Sequence, residues 1–223
     1  TLKDIPCGKY GTLDKYVPNG DYIVIKFARW AFEKFKGVED KLGTQMRAVG
    51  EVMSIGKTYK EAFQKAIRSL EIGRYGLGNA KDFASKSKEE LLIMLNTPSS
   101  ERHFIMYEAL RKGVSVEAIY ERTKVKKYFI EQMKELVEEE DALLKSKGSL
   151  PSDEALISAK KNGFSDKYLS LLLEIPEDDV RNRRIQLGVE EQWEGVHVSG
   201  TENNEYFYST YNGEDKNPIK EDK

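Results

Sequence analysis

The strongest constraint on this chain is the stretch LGTQMRAVGEVMSIGKTYKEAFQKAIRSL at residues 42–70, where two hydrophobic periodicities follow one another. Residues 49–55 are typical of a β-strand. Such a strand, followed by a turn and an amphipathic helix, cannot bury its apolar faces alone, so we expect a larger α/β layer. The apolar helix face is formed by Tyr59, Phe63, Ala66, Ile67 and Leu70.

The turn before this helix carries a capping signal. Thr58 is followed three residues later by Glu61, which is the arrangement of a capping box. In that motif the Thr hydroxyl accepts a backbone N–H, and the Glu carboxylate reaches back to the N-cap. The helical spacing places Glu61 off the apolar face, together with Lys60, Lys65 and Arg68.

One other strand is predicted upstream, over residues 22–27. Its nearly continuous apolar run is typical of a strand covered on both faces. Lys26 interrupts the run and is either a partner for a phosphate or carboxylate or, as we favour, a side chain that extends to water. Two strands make up only part of an α/β sheet, so we expect the chain to be a piece of a longer polypeptide.

An aromatic cluster follows this strand. Such a cluster can stack a nucleobase, although an apolar plug against a sheet is the favoured interpretation. Its members are Trp30, Phe32 and Phe35.

Gly73, Gly76 and Gly78 then mark a turn-rich connection, after which every periodic segment between residues 86 and 189 is helical. A short helix is predicted over residues 87–95. A second helix is expected to start at a Ser99 or Ser100 N-cap and to end at Gly113. Its inward residues are Ile105, Met106, Ala109 and Leu110.

The helical region contains an internal repeat, in which residues 109–130 align with residues 159–180 at a constant offset of fifty positions. Each copy has the pattern of a helix that ends at a glycine, a serine N-cap, a short second helix and the start of a third helix. The matched pairs are Gly113 with Gly163, Ser115 with Ser165, Ile119 with Leu169, Val125 with Ile175, and Ile130 with Val180.

Residues 128–147 join the two copies and carry an apolar stripe. The acidic run 138–141 on this helix is interpreted as a solvated face rather than a metal site. The apolar stripe of the joining segment 128–147 comprises Phe129, Met133, Leu136, Val137, Leu143 and Leu144.

Beyond residue 190, a short strand is expected around Tyr206, Tyr208 and Tyr211, and residues 212–223 have the composition of an exposed linker.

The sequence offers little catalytic chemistry. His103 and His197 are far apart, and neither has metal-ligand spacing with another His or Cys. Cys7 is the one cysteine, so no internal disulfide can form, and its thiol has no obvious base. The sequence shows no Walker motif, nucleophile elbow, signal peptide or run of about 18 apolar residues. We expect a cytoplasmic protein in which this region is not itself catalytic.

A nucleic-acid-binding module is the rival interpretation. Residues 165–187 have a helix-turn-helix pattern, and the second helix carries Arg181, Arg183 and Arg184. Acidic residues immediately before these arginines and the net charge of −2 argue against it. The acidic residues are Glu174, Glu177, Asp178 and Asp179.

Several blocks together carry a family resemblance: DYIVIKFARWAFEKF, the stretch at 42–70, PSSERHFIMYEALRKGVSVEAIYERTKV, YFIEQMKELVEEE, NGFSDKYLSLLLEIPEDDVRNRRIQLGV and YFYSTYNGEDKNP. In one collinear register they resemble the large subunit of carbamoyl-phosphate synthase, from the end of its first ATP-grasp half onward. The sequence departs from the family pattern within residues 193–205.

The resemblance implies a mostly α fold in three parts. Residues 1–71 would be a small α/β remnant of an ATP-grasp domain, residues 72–190 an all-helical oligomerisation domain with the duplicated helix-turn-helix-like unit, and residues 191–223 a short extended tail leading to the second synthetase half. The fragment would then be a connector that also mediates assembly into a homo-oligomer.

The same resemblance implies the chemistry of the parent protein. That protein would be an ATP-dependent ligase that makes carbamoyl phosphate from bicarbonate, two ATP and ammonia from a glutaminase partner, for arginine and pyrimidine biosynthesis. ATP and Mg²⁺ (or Mn²⁺) would bind elsewhere in the parent, with no catalytic, cofactor or metal residue in this segment. Met46, Val49 and Glu51 would line the passage for carbamate, where apolar walls keep water from a labile intermediate. Met46 and Val49 could equally be ordinary core residues.

Overall fold

The computed structural model describes residues 1–16, 20–30, 32–34, 36–78, 81–196 and 206–214. Phe35, His197, the divergent residues 197–205 and the C-terminal residues 215–223 lie outside the described residues, so the predictions made for them are not addressed by the structure.

The described chain is mostly α-helical with small two-stranded sheets, which confirms the predicted fold class. Single-turn 3₁₀ helices occur at residues 2–4, 8–10, 13–15, 32–34 and 144–146. The strands are β1 (Pro6–Cys7), β2 (Gly11–Thr12), β3 (Ile23–Trp30), β4 (Ala48–Gly56), β5 (Gln192–Gly195) and β6 (Phe207–Thr210). The helices are α1 (Tyr59–Ser69), α2 (Lys81–Ala84), α3 (Lys88–Met94), α4 (Arg102–Arg111), α5 (Val116–Thr123), α6 (Lys127–Leu143), α7 (Asp153–Lys161), α8 (Asp166–Leu173) and α9 (Glu177–Gln186).

Strands β3 and β4 pair antiparallel, with Val24 opposite Ile55 and Lys26 opposite Met53. Helix α1 packs against this pair, so one face of the sheet is covered. The prediction that the upstream strand is covered on both faces was wrong, because Val24 and Met53 on the other face are 45% and 69% exposed.

The two predicted helix starts differ in outcome. Ser87 caps α3 in a capping box with Glu90, as expected for the helix predicted over residues 87–95. Neither Ser99 nor Ser100 caps α4, whose N-cap is Glu101 with no side-chain hydrogen bond. The Ser100 N–H and hydroxyl instead donate to the Asp40 carboxylate at 2.9 and 2.5 Å, because a distant loop supplies a stronger acceptor.

The predicted repeat is present in the backbone. Helices α5 and α8 begin and end fifty residues apart, after serine N-caps whose hydroxyls accept the N–H three residues on, from Ala118 and Tyr168 respectively. The preceding helices end at glycines with positive φ, 81° at Gly113 and 91° at Gly163. Each short helix then ends at a left-handed residue, which is Lys124 in the first copy and Glu174 in the second.

The long helix α6 lies between the copies, and one of its acidic residues contradicts the prediction of a solvated face. Glu140 is fully buried and accepts the Tyr107 hydroxyl at 2.8 Å and the Tyr168 hydroxyl at 2.7 Å, with Arg111 Nη1 at 3.3 Å. Burial raises the pKa of Glu140 against these stabilising contacts. The apolar stripe is buried at four of its six positions, while Leu144 is partly buried and Phe129 is 36% exposed.

The glycine-rich connection after α1 is packed rather than solvated. Gly76, Leu77 and Gly78 are buried against the helical region. A Cβ at Gly76 would lie 2.6 Å from the Tyr168 ring, and one at Gly78 would overlap the Glu140 carboxylate. Only glycine allows this close approach of the backbone.

Strand β6 confirms the predicted extended segment around the C-terminal tyrosines. It pairs antiparallel with β5, from Gln192 opposite Thr210 to Gly195 opposite Phe207. The β5 strand was not predicted from the sequence. The tail within residues 206–214 is therefore one half of a hairpin that packs back on the chain.

Candidate functional site

The three predicted passage residues lie on or next to strand β4. Val49 and Glu51 share the face turned away from α1, and Met46 precedes the strand. Met46 is 90% exposed and Val49 is 52% exposed, so neither is an ordinary core residue within the described chain. Glu51 pairs with Lys26 Nζ at 2.9 Å, which gives that lysine a protein partner on the same outer face.

The opposite side of β3 meets the helical region through aromatic rings. Phe27 lies 5.0 Å from the His103 ring and 5.9 Å from the Phe63 ring, measured between centroids. Trp30 packs against Phe27, as expected for an apolar plug, while Phe32 is half-buried. Burial, followed by the nearby Arg102 charge, lowers the pKa of His103 to about 4, so its ring is neutral at physiological pH.

The buried carboxylate of Glu61 joins the C-terminal hairpin to the start of α1. The sequence placed Glu61 outside the buried face and expected it to reach back to its N-cap, yet it is 1% exposed. Thr58 caps α1 by accepting the Glu61 N–H, as predicted, but the carboxylate accepts the Lys57 N–H at 2.9 Å instead of closing a capping box. The correction follows from long-range contacts: the carboxylate also accepts from Thr210 Oγ1 at 2.9 Å, Tyr211 N at 3.2 Å and Asn212 Nδ2 at 3.2 Å.

Lys65 makes a second connection one turn along α1. Its Nζ donates to the Ile55 carbonyl of β4 and to the Ser209 carbonyl of β6, both at 2.6 Å. The last strand of the described chain is thereby fixed to the strand that carries Val49 and Glu51.

The arginines of the rival helix-turn-helix interpretation are engaged within the chain. Arg183 donates two bonds to Asp153 at 2.9 and 2.6 Å, and Arg184 donates to Asp166 at 3.1 Å. Arg181 pairs with Glu177 and Asp178. The Arg183 and Arg184 contacts hold α9 against α7 and α8, whereas the Arg181 pairs lie within α9 itself. All three side chains that would have to contact nucleic acid thus have carboxylate partners within the chain.

Within the described residues, no group of three or more His, Cys, Asp or Glu side chains is placed to hold a metal ion. Cys7 is a free, half-buried thiol in β1. The described helices include none with the length and apolar character needed to cross a bilayer.

The fold defines a helical domain that is built on a duplicated unit and that packs against the β3–β4 pair and α1. Comparison with known proteins shows the family to which a chain with this fold belongs. Residues 51–188 match the model of the carbamoyl-phosphate synthetase large chain, oligomerisation domain. The chain belongs to this family.

Curated relatives agree with this assignment over most of the chain. The N-terminal section of the carbamoyl phosphate synthase large chain of Methanopyrus kandleri is 39% identical over 91% of this chain. The large chain of Archaeoglobus fulgidus is 40% identical over 97% of it, and the arginine-specific chloroplastic large chain of Arabidopsis thaliana is 40% identical over 89%. The matched regions span 39%, 21% and 17% of those relatives respectively. None of these matches supports nucleic-acid binding.

Proposed function

We infer that this chain is the connector and oligomerisation region of a carbamoyl-phosphate synthase large chain. The observation that carries this inference is the match of residues 51–188 to the oligomerisation-domain family. The buried contacts of Glu61 and Lys65 suit a connector, because they hold β6, near the C-terminal end of the described chain, against α1, near its N-terminal part.

The parent activity belongs to the same proposal. The parent would form carbamoyl phosphate from bicarbonate, glutamine-derived ammonia and two ATP, with a glutaminase as partner and ATP and Mg²⁺ (or Mn²⁺) bound outside this segment. Arginine synthesis has support from the name of the Arabidopsis relative, and pyrimidine synthesis follows from the resemblance. We propose a cytoplasmic location, although that relative is named chloroplastic. Domain limits at residues 71 and 190 remain predictions.

Self-association is testable with this chain. Ile93 on α3 is 65% exposed, the largest value for a large hydrophobic side chain among the described α-helices. Light scattering over a hundredfold range of concentration should show a dimer or larger species, and Ile93→Glu should weaken it at least tenfold. The control is Ile185→Glu on α9, where the side chain is 49% exposed. A strict monomer at all concentrations would contradict self-association by this segment.

The passage proposal for Met46, Val49 and Glu51 needs the parent context. A suitable protein is the Archaeoglobus fulgidus large chain with its matched region replaced by residues 1–223. A charge on an apolar wall admits water, so Val49→Asp should lower the carbamoyl phosphate formed per ATP hydrolysed several-fold. Ile185→Asp serves as the control. An unchanged ratio in Val49→Asp would remove Val49 from the passage wall.

A further inference from the structure

A cavity of about 210 Å³ lies between α1, the turn joining α7 to α8, and the end of β6. Its lining includes Lys65 and Arg68 from α1, together with Lys160, Ser165 and Tyr211. None of the predicted passage residues contributes to it. The cavity is therefore separate from the outer face of β3 and β4.

Lys65 and Arg68 enter this lining with neutral partners. Among the described residues, Lys65 Nζ donates only to the Ile55 and Ser209 carbonyls, and Arg68 Nη1 donates to the Gly163 carbonyl at 3.1 Å. Neither side chain forms an ion pair with a carboxylate in the part of the chain that the structure describes. Burial lowers the pKa of both groups, and the charges of Glu61 and Glu191 offset this only in part.

Two of the carboxylates that line the cavity form ion pairs, in part with Lys160 and Lys167 of the same lining. Asp166 is held by Lys160 Nζ at 2.7 Å and by Arg184 Nε at 3.1 Å. Burial alone would raise the pKa of Asp166, but these two cations hold it below its usual value. Glu177 pairs with Arg181 at 2.9 Å and Lys167 at 3.8 Å.

Two further carboxylates complete the lining. Glu61 already accepts four hydrogen bonds from uncharged groups. Glu191 is exposed and has no ion pair among the described residues. Four cations and four carboxylates thus line the cavity. Lys65 and Arg68 are the two cations among them that form no ion pair within the described residues, and the exposed Glu191 attracts both electrostatically.

We propose that this cavity binds a phosphate group between the Lys65 ammonium and the Arg68 guanidinium. Lysine has a third N–H beyond its two carbonyl bonds, and the arginine fork keeps donors suited to bidentate contact with an oxyanion. The Ser165 hydroxyl accepts the Tyr168 N–H at 3.1 Å, so its own hydrogen remains available to the ligand. The volume admits free phosphate or a small phosphomonoester.

The test is calorimetric titration of the 223-residue chain with inorganic phosphate at constant ionic strength. Chloride and acetate titrations measure the response to any anion and to a carboxylate. Glycerol phosphate separates the free ion from a phosphate carried on a small organic molecule. We expect saturable one-site binding of phosphate, at least tenfold tighter than acetate.

Variants assign the binding to this cavity. Arg68→Gln should weaken phosphate binding at least tenfold, and Arg68→Lys should weaken it less because the charge remains. Glu191→Gln should tighten it a few-fold by removing repulsion. Arg122→Gln, on the exposed side of α5, is the control. Thermal melting verifies that each variant is folded.

Three results would overturn the proposal. The first is the absence of saturable phosphate binding by the folded wild-type chain. The second is equal phosphate affinity in Arg68→Gln, Arg68→Lys and Arg122→Gln. The third is acetate binding as tight as phosphate binding.

Discussion

The two copies of the helical unit share a backbone but differ in their surroundings. Leu110 of the first copy is buried among apolar residues, and Val116 packs against the same core. The matching positions of the second copy hold Lys160 and Asp166, an ion pair with both side chains nearly buried. A duplicated backbone can thus serve a hydrophobic core in one copy and a polar docking surface in the other.

The docking surface is visible at the equivalent glycines. A Cβ at Gly113 would meet only the Lys88 ammonium, at 3.5 Å, whereas a Cβ at Gly163 would lie 2.9 Å from the Glu61 Cα. Helix α1 therefore packs directly on the second copy. The same turn of the first copy lies open.

The largest expected effect concerns Glu140, which joins the copies by accepting hydroxyls from Tyr107 of α4 and Tyr168 of α8. Glu140→Ala leaves both buried hydroxyls without their acceptor and removes one of the two carboxylates that pair with Arg111, so the free energy of unfolding should fall by about 3 to 5 kcal/mol. Glu138→Ala, from the same acidic run but exposed, should change it by less than about 0.5 kcal/mol. Urea denaturation measures both. Equal losses would show that Glu140 does not join the copies.

The glycine pair tests whether only the second copy is a docking surface. Alanine at either position is strained by the positive φ, at about 1 kcal/mol. Gly163→Ala must also displace α1, so its total loss should be about 3 kcal/mol against about 1 kcal/mol for Gly113→Ala. Denaturant melts of the two variants provide the measurement. If both variants lose the same stability, the docking of α1 on the second copy is not tight.

As the pH falls, the free energy of unfolding should first decrease through His103 on α4, the helix that leads into the first copy. The folded state binds the His103 proton only near pH 4, while the unfolded chain binds it near 6.5, so unfolding takes up a proton between those values. By linkage, this residue should lower the free energy of unfolding by about 2 kcal/mol from pH 7 to pH 5.

Urea melts of wild type and His103→Phe at both pH values isolate this contribution, because phenylalanine cannot titrate. In the second copy the titrating group is Asp166, whose pKa is lowered, so its contribution to the free energy of unfolding is still present at pH 5 and is lost only below about 3.8. A His103→Phe variant with the same fall in stability as wild type would exclude His103 as the source.

The smallest effect tests the similarity of the copies. Ser115 and Ser165 cap their helices in the same geometry, at 3.2 and 3.1 Å. Replacing either with alanine should destabilise the chain by about 1 kcal/mol, measured by thermal melting. A difference greater than about 1 kcal/mol between the variants would mean that surroundings override the shared backbone.

The local parts of this fold could be predicted from sequence because their signals lie within a few residues. The serine N-caps and the glycines at the helix ends predicted both copies of the repeat, and the Thr58 N-cap predicted the start of α1. The α4 cap failed because Asp40, sixty residues earlier, binds Ser100. The residues around Ser100 in the sequence do not indicate that a carboxylate sixty positions away binds its hydroxyl.

The burial of Glu61 and Glu140 could not be predicted for the same reason. Each carboxylate is satisfied by donors from distant segments, Thr210 for Glu61 and Tyr107 for Glu140. At the candidate passage, the sequence placed Val49 correctly on a strand, but neither its exposure nor the shared outer face followed from periodicity alone.

The contact between Glu61 and Thr210 also sets an order of events during synthesis. These residues are 149 positions apart, so the ribosome releases the carboxylate well before its hydroxyl donor. The helices between them can pack first, since their contacts are more local and form faster. Until residues 206–214 emerge, the start of α1 carries a carboxylate without three of its donors. Docking of the last hairpin is therefore a late folding step, and it occurs only when this segment has been translated.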